Sequence, residues 1–126
     1  MGAAPKLDQA WPIIDAQKLQ AIKNLAEPDD DDDFFKELLN IFFQRCPALL
    51  TELDAAASTK DPVKLERAAH ALKGTSGNLG AIMMMKLAEQ LEMMGRSGKV
   101  ENALEVLTDL HKTYPVTKKE LETKWL

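Results

Sequence analysis

Between Leu65 and Leu79 the positions Leu65, Ala69, Leu72, Ser76 and Leu79 recur at intervals of 4, 3, 4 and 3 residues. That rhythm keeps side chains on one face of an α-helix, whereas a strand would divide them between two faces. Similar spacing runs through "AQKLQAIKNLA", "FFKELLNIFFQRCPALLTEL" and "ALEVLTDL", while alternating apolar and polar runs are nearly absent. A chain of 126 residues, 45% of them hydrophobic, suffices for one core and one domain. The pattern therefore predicts an all-α fold.

Five helices are expected. A short one is capped by Asp15 and turns Leu19, Ile22 and Leu25 inward. A second runs from about Asp31 to Ser58, kinked at Pro47, with Phe34, Phe35, Leu38, Ile41, Phe42, Leu49, Leu50 and Leu53 on its apolar face. The third opens with Asp61 as N-cap and Pro62 in its first turn, and ends near Gly80. The fourth spans about Ala81 to Arg96. The fifth starts near Val100 with Ala103, Leu104, Leu107 and Leu110 inward, and Pro115 kinks or ends it. Short loops between amphipathic helices imply an antiparallel up-and-down four-helix bundle with an additional short N-terminal helix. Residues 1–10 read as a flexible leader and 11–126 as the single domain.

Several function classes drop out early. A net charge of −4 offers no reason to bind nucleic acid. No apolar run reaches the roughly 18 residues of a membrane span, and the N-terminus lacks a signal peptide's apolar middle. The one cysteine, Cys46, sits in the mostly apolar "IFFQRCPALL" and reads as buried filler, in keeping with a cytoplasmic location. The acidic run Asp29 to Asp33 lacks the alternating ligands, central glycine and distal glutamate of a calcium loop; its carboxylates suit a helix start.

The stretch "AAHALKGTSGNLGA" carries the chemistry. At about 100° per residue, His70 falls about 160° from Leu72, so it lies on the outer face of the third helix. Gly74 and Gly77, at i+4 and i+7, share that face, with Lys73 at i+3 and Glu66 at i−4 on its flanks. Each glycine costs a helix interior about 1 kcal/mol relative to alanine. Two of them beside an exposed imidazole read as cleared ground for a close-approaching partner. An exposed imidazole is a nucleophile near neutral pH, and Lys73 can pair with a phosphoryl group placed on it. Metal binding needs three or four convergent ligands, and no second histidine stands at that spacing; His111 reads as a surface residue near a helix end. No Gly-Lys-Ser/Thr follows the glycines, so they do not form a P-loop. The residues describe a phosphorylatable histidine on an open helix face, with no metal and no cofactor of its own.

"HALKGTSGNLGA" closely resembles the signature of histidine-containing phosphotransfer (HPt) domains, His-x-Leu-Lys-Gly-x-Ser or Ala followed by Leu-Gly. "PIIDAQKLQAI" looks like that family's N-terminal helix, "FFKELLNIFFQRCPALLTEL" like its second helix, and "LAEQLEMMGRSGK" is similar to its fourth-helix ending. The resemblance implies that His70 accepts a phosphoryl group, usually on Nε2, from the aspartyl phosphate of a receiver domain and passes it to another. It implies a monomeric carrier without an ATP site, served by response-regulator receivers and a hybrid or sensor histidine kinase, with Mg²⁺ on the receiver. Lys73 matches the family's phosphate-stabilising lysine, Gly74 the small residue that admits the receiver, and Glu92 a position that in some members hydrogen-bonds the imidazole; Glu66 is the alternative for that role.

"IMMMKLAEQLEMM" contributes five methionines, of which Met84 and Met94 fall inward and Met85 and Met93 outward. They suit adaptable packing; the sharper expectation joins Met85 and Met93 with Phe43 in a pliable receiver-docking patch. Two rival functions stand beside the carrier. The phosphoacceptor region of a histidine kinase carries Glu or Asp after its histidine and a downstream Arg-x-Pro, where this chain has Ala71 and Leu72. A bundle that only binds a partner would not need His70 and Lys73 together.

Overall fold

A computed structural model describes residues 11–25 and 33–126. Helix α1 spans Ala16–Lys23, α2 Asp33–Ser58, α3 Pro62–Leu79, α4 Ile82–Ser97 and α5 Ala103–Lys124, and no strand occurs among the described residues. Helices α2 to α5 close a ring of neighbours, α2 on α3, α3 on α4, α4 on α5 and α5 back on α2, and α1 packs on α3. The expected four-helix bundle with a short extra helix is what forms. None of these helices is long and apolar enough to cross a membrane.

Local chemistry sets the boundaries. The Asp15 and Asp61 carboxylates accept from the backbone N–H groups of Lys18 and Lys64, each at 3.1 Å, so both act as N-caps. Gly80 and Gly98 adopt left-handed φ values of 78° and 76°. Each closes a helix in the same way. The N–H of Ala81 donates to the carbonyl of Ser76 and that of Lys99 to Met94, satisfying carbonyls that the helix end would leave bare. Gly80 is fixed twice over: its carbonyl accepts from the Asp15 N–H at 2.7 Å, and a Cβ there would stand 3.2 Å from that of Asp15. The turn that ends α3 thus anchors the start of α1.

The core stripe of α2 is Phe35, Leu39, Phe42, Cys46, Leu49, Leu50 and Leu53. It runs about one residue off the expected face. Phe34 and Ile41 are 42% and 45% exposed, as are Leu104 (59%) in place of Val106 on α5 and Leu25 (73%) beyond the end of α1. Neighbouring residues on a helix differ by about 100°, so an apolar residue beside the seam is left at its margin. The acidic run up to Asp32 lies outside the described residues, as do residues 1–10; Asp33 stands in the first turn of α2.

Both internal prolines are tolerated. Pro47 lacks the N–H that would serve the carbonyl of Phe43. The Tyr114 hydroxyl donates to that carbonyl at 3.3 Å, and burial, which pushes its pKa up to about 12, keeps the proton in place. Pro115 neither ends α5 nor places His111 near a terminus: the helix continues to Lys124, held by buried Leu110, Thr113, Thr117 and Leu121 on one side while Pro115 faces outward. Packing overrides the local penalty. Cys46 is fully buried, and desolvation raises its thiol to about 12, so it is inert filler.

Candidate functional site

The α3–α4 pair is drawn together by a glycine whose part the sequence did not reveal. A Cβ on Gly95 would stand 2.6 Å from the Glu66 nitrogen and 2.7 Å from the Pro62 carbonyl oxygen. The last turn of α4 therefore rests on the backbone of the first turns of α3. This contact sets the two helices close enough for side chains of α4 to reach the face of His70.

The side chain that reaches it is Glu92. Its residue is 3% exposed, yet it is ionic: Oε2 lies 2.7 Å from His70 Nδ1 and 3.1 Å from Arg96 Nη2, and Oε1 lies 2.6 Å from Lys73 Nζ. Hydrogen bonding from Lys73 holds the Glu92 pKa below the ordinary carboxylate value; burial opposes this, and the bond to His70 adds to it. An ionised carboxylate only accepts, so Nδ1 must carry the ring hydrogen. The lone pair of the neutral imidazole is then on Nε2, in a side chain that is 70% exposed.

Glu66 does not reach the imidazole, contrary to the alternative expectation. Its carboxylate accepts from Arg96 Nε at 3.1 Å, and Arg96 in turn bonds Glu92. The network is a buried carboxylate serving one imidazole and two cations, with Glu66 steadying the outer cation. Lys73 is half-buried and turned toward Glu92.

The two glycines on the histidine's face part company. A Cβ on Gly74 would meet nothing within 4 Å, so the surface beside His70 is open there. On Gly77 it would stand 3.0 Å from Met85 Sδ. Gly77 is therefore half-covered by a methionine of α4, and Met85 is half-buried rather than facing solvent. Met83 and Met84 are fully buried, whereas Met93 is 62% exposed. Phe43 lies toward α5, edge-on to Phe42 with Lys118 of α5 5.8 Å above its ring. It does not join the methionines in one patch.

Exposed apolar surface is concentrated elsewhere. Leu25, Phe34 and Ile41, with Ile22 and Leu38, line a groove that reaches Thr75 and Asn78, one turn beyond Gly74. A one-residue misplacement of the α2 stripe hid this groove from sequence reasoning. The second histidine, His111, bonds Asp54 through Nε2 at 2.9 and 3.0 Å across α5 and α2.

A four-helix bundle that shows one imidazole nitrogen to solvent and holds the other on a buried carboxylate is a histidine-presenting module. The chain belongs to the Hpt domain family, whose model matches residues 37–122. It is 36% identical over 73 residues to multistep phosphorelay regulator 1 of Schizosaccharomyces pombe, covering 56% of this chain and 25% of that protein. It is 41% identical over 56 residues to the sensor protein TorS of Escherichia coli, covering 44% of this chain and 6% of that protein. The chain thus spans a quarter or less of both relatives. Its fold matches the crystal structure of histidine-containing phosphotransfer protein B of Pseudomonas aeruginosa with a TM-score of 0.82 at 23% identity, over 91% of this chain and 96% of that one.

Proposed function

We propose that this chain is a phosphocarrier of a phosphorelay, taking a phosphoryl group on His70 from the aspartyl phosphate of a receiver domain and passing it to the aspartate of another. The observation that carries this reading is the bond between His70 Nδ1 and buried Glu92, 2.7 Å, on a histidine that is 70% exposed. In the forward step the Nε2 lone pair attacks phosphorus in line with the aspartyl oxygen. The N–P bond forms, the O–P bond breaks, and the electron pair leaves with the aspartate carboxylate. Nδ1 keeps its hydrogen, so the ring becomes positive and Glu92 opposes that charge directly. Attack by the next aspartate reverses these changes and restores the neutral imidazole.

A loose phosphoryl-transfer transition state asks mainly for alignment and charge stabilisation. Lys73 would turn from Glu92 toward the phosphoryl oxygens, leaving Arg96 to hold Glu92 ionised. The receiver would bring its acidic pocket and Mg²⁺. The phosphoprotein donor makes an ATP site on this chain unnecessary, so the chain would act as a carrier and not as a kinase; a monomer in the cytoplasm is the form we assign to it. The partner would settle over open Gly74 and onto the groove of Leu25, Phe34 and Ile41. Met93 is the exposed methionine available to it on α4.

The match to a sensor protein favours a second placement of the same chemistry, as the phosphoacceptor segment of a larger kinase. Incubation with a radiolabelled, aspartyl-phosphorylated receiver domain tests the step common to both. Acid-labile, alkali-stable label should appear on the wild type and be missing from His70→Gln. Unlabelled wild type would leave only a binding module, and label persisting in His70→Gln would refute the acceptor.

A further inference from the structure

The crevice between α2 and α3 changes character along its length. At one end it is the apolar groove of Phe34, Leu38 and Ile41; at the other a second groove, about 580 Å³ in volume, has a floor of Leu49, Ala56, Ala68 and Ala71. Arg45 borders both, and Lys64 and Arg67 complete the rim of the second. Arg45, Lys64 and Arg67 are exposed, and none forms a side-chain ion pair or hydrogen bond with another described residue. Glu52 is the one carboxylate lining the groove. In a chain of net charge −4 this is a local reversal of sign with no partner among the described residues. It also adjoins the acceptor: Arg67 is one turn before His70 on the outer face of α3, and Ala71 follows it.

We infer that this cation-rimmed groove is a docking surface for an acidic amphipathic helix on the receiver partner, with the helix's small apolar side on the alanine floor and its carboxylates facing Arg45, Lys64 and Arg67. The inference rests on the phosphocarrier reading for its partner. It adds a second, electrostatic half to the contact: the apolar groove supplies contact area, and the cationic groove supplies attraction at a distance and selects partners by charge. Uncompensated surface charge acts mainly on encounter rate, and salt screens it within about 10 Å at 0.1 M.

The test compares transfer from the aspartyl-phosphorylated receiver that labels the wild type with transfer to Arg45→Glu/Lys64→Glu. Both residues are remote from the reacting nitrogen, Lys64 nearly two turns before it and Arg45 on another helix. The transfer kcat/KM should fall at least tenfold at 20 mM salt and by less than threefold at 0.5 M. Lys119→Glu, an exposed cation on α5, should change neither value. Far-ultraviolet circular dichroism establishes that each variant is folded. Wild-type rates in the double variant at low salt would overturn the inference while leaving the carrier role intact, as would an equal loss at both salt concentrations. Absence of label on the wild type would instead fail the carrier reading itself.

Discussion

The chain has two histidines, and each is bonded to a carboxylate on a neighbouring helix. His70 and Glu92 join α3 to α4 at 2.7 Å; His111 and Asp54 join α5 to α2 at 2.9 Å. The difference lies in the carboxylate. The Glu92 side chain is 4% exposed and also holds Lys73 and Arg96, whereas that of Asp54 is 45% exposed and bonds His111 alone among the described residues. Water screens the second pair, which contributes of order 0–1 kcal/mol at most. The first is shielded and fixed, so it dictates which nitrogen of the ring is free. His111 also spends Nε2 on its partner, the nitrogen that His70 leaves open. Equal pairing chemistry becomes a site in one place and a surface bond in the other through burial and the neighbouring cations.

The largest contrast should come from the pairs themselves. His70→Gln is expected to abolish receiver-dependent labelling, and His111→Gln to leave its rate within about twofold. Glu92→Gln should slow transfer roughly 10- to 100-fold, by analogy with the loss of the carboxylate that orients a metal-bound imidazole. Asp54→Asn should not slow it. Equal effects of Glu92→Gln and Asp54→Asn on the transfer rate would remove the distinction drawn between the two pairs.

Next in size is the contrast between two glycines. Gly95→Ala places a Cβ against backbone atoms of α3 and should cost about 1–3 kcal/mol in urea unfolding, loosening Glu92 from His70 as well. Gly74→Ala meets nothing and should gain about 0.5–1 kcal/mol. Gly74→Gln should fold equally well and slow transfer, because its side chain occupies the ground a partner needs. Normal transfer by that variant would contradict docking over Gly74.

Acid sharpens the comparison further. The Glu92 pKa in the folded chain lies below its ordinary value of 4.5. Its contribution to stability is therefore present above about pH 4.5 and is lost as pH falls through the lower folded value. A carbon-13 titration of the side-chain carboxyl should place its midpoint below 4.5. A midpoint above that value would mean that burial outweighs the bonds from Lys73 and His70. The smallest effect is expected at Ser76, whose buried Oγ has no hydrogen-bond partner among the described residues. Ser76→Ala should be neutral or stabilising by up to about 1 kcal/mol in the same unfolding experiment.

Much of this architecture could be read in advance where it depends on neighbours in sequence. The α3 stripe, the caps at Asp15 and Asp61 and the end of α3 near Gly80 are local properties of a few residues, and each forms as the pattern predicts. What escaped was fixed by distant partners. Pro47 is accommodated by a hydroxyl 71 residues from the carbonyl that it orphans. Gly95 resembles any glycine near a helix end until the backbone of α3 is laid against it. Gly77 and Gly74 share a helical face and have identical side chains, yet Met85 covers one and not the other. At the site, the helical period placed His70 outward, and the family resemblance pointed to Glu92 as its partner. That Glu92 also gathers Lys73 and Arg96, and that Arg96 claims Glu66, depends on the separation of α3 and α4.

The central claim is that Glu92 makes Nε2 of His70 the nucleophile. The most direct test is a nitrogen-15 spectrum of the imidazoles in the phosphorylated, uniformly labelled chain. Phosphorus coupling should appear on His70 Nε2, with Nδ1 still protonated and His111 unchanged. Coupling on Nδ1 of His70, or on either nitrogen of His111, would contradict it.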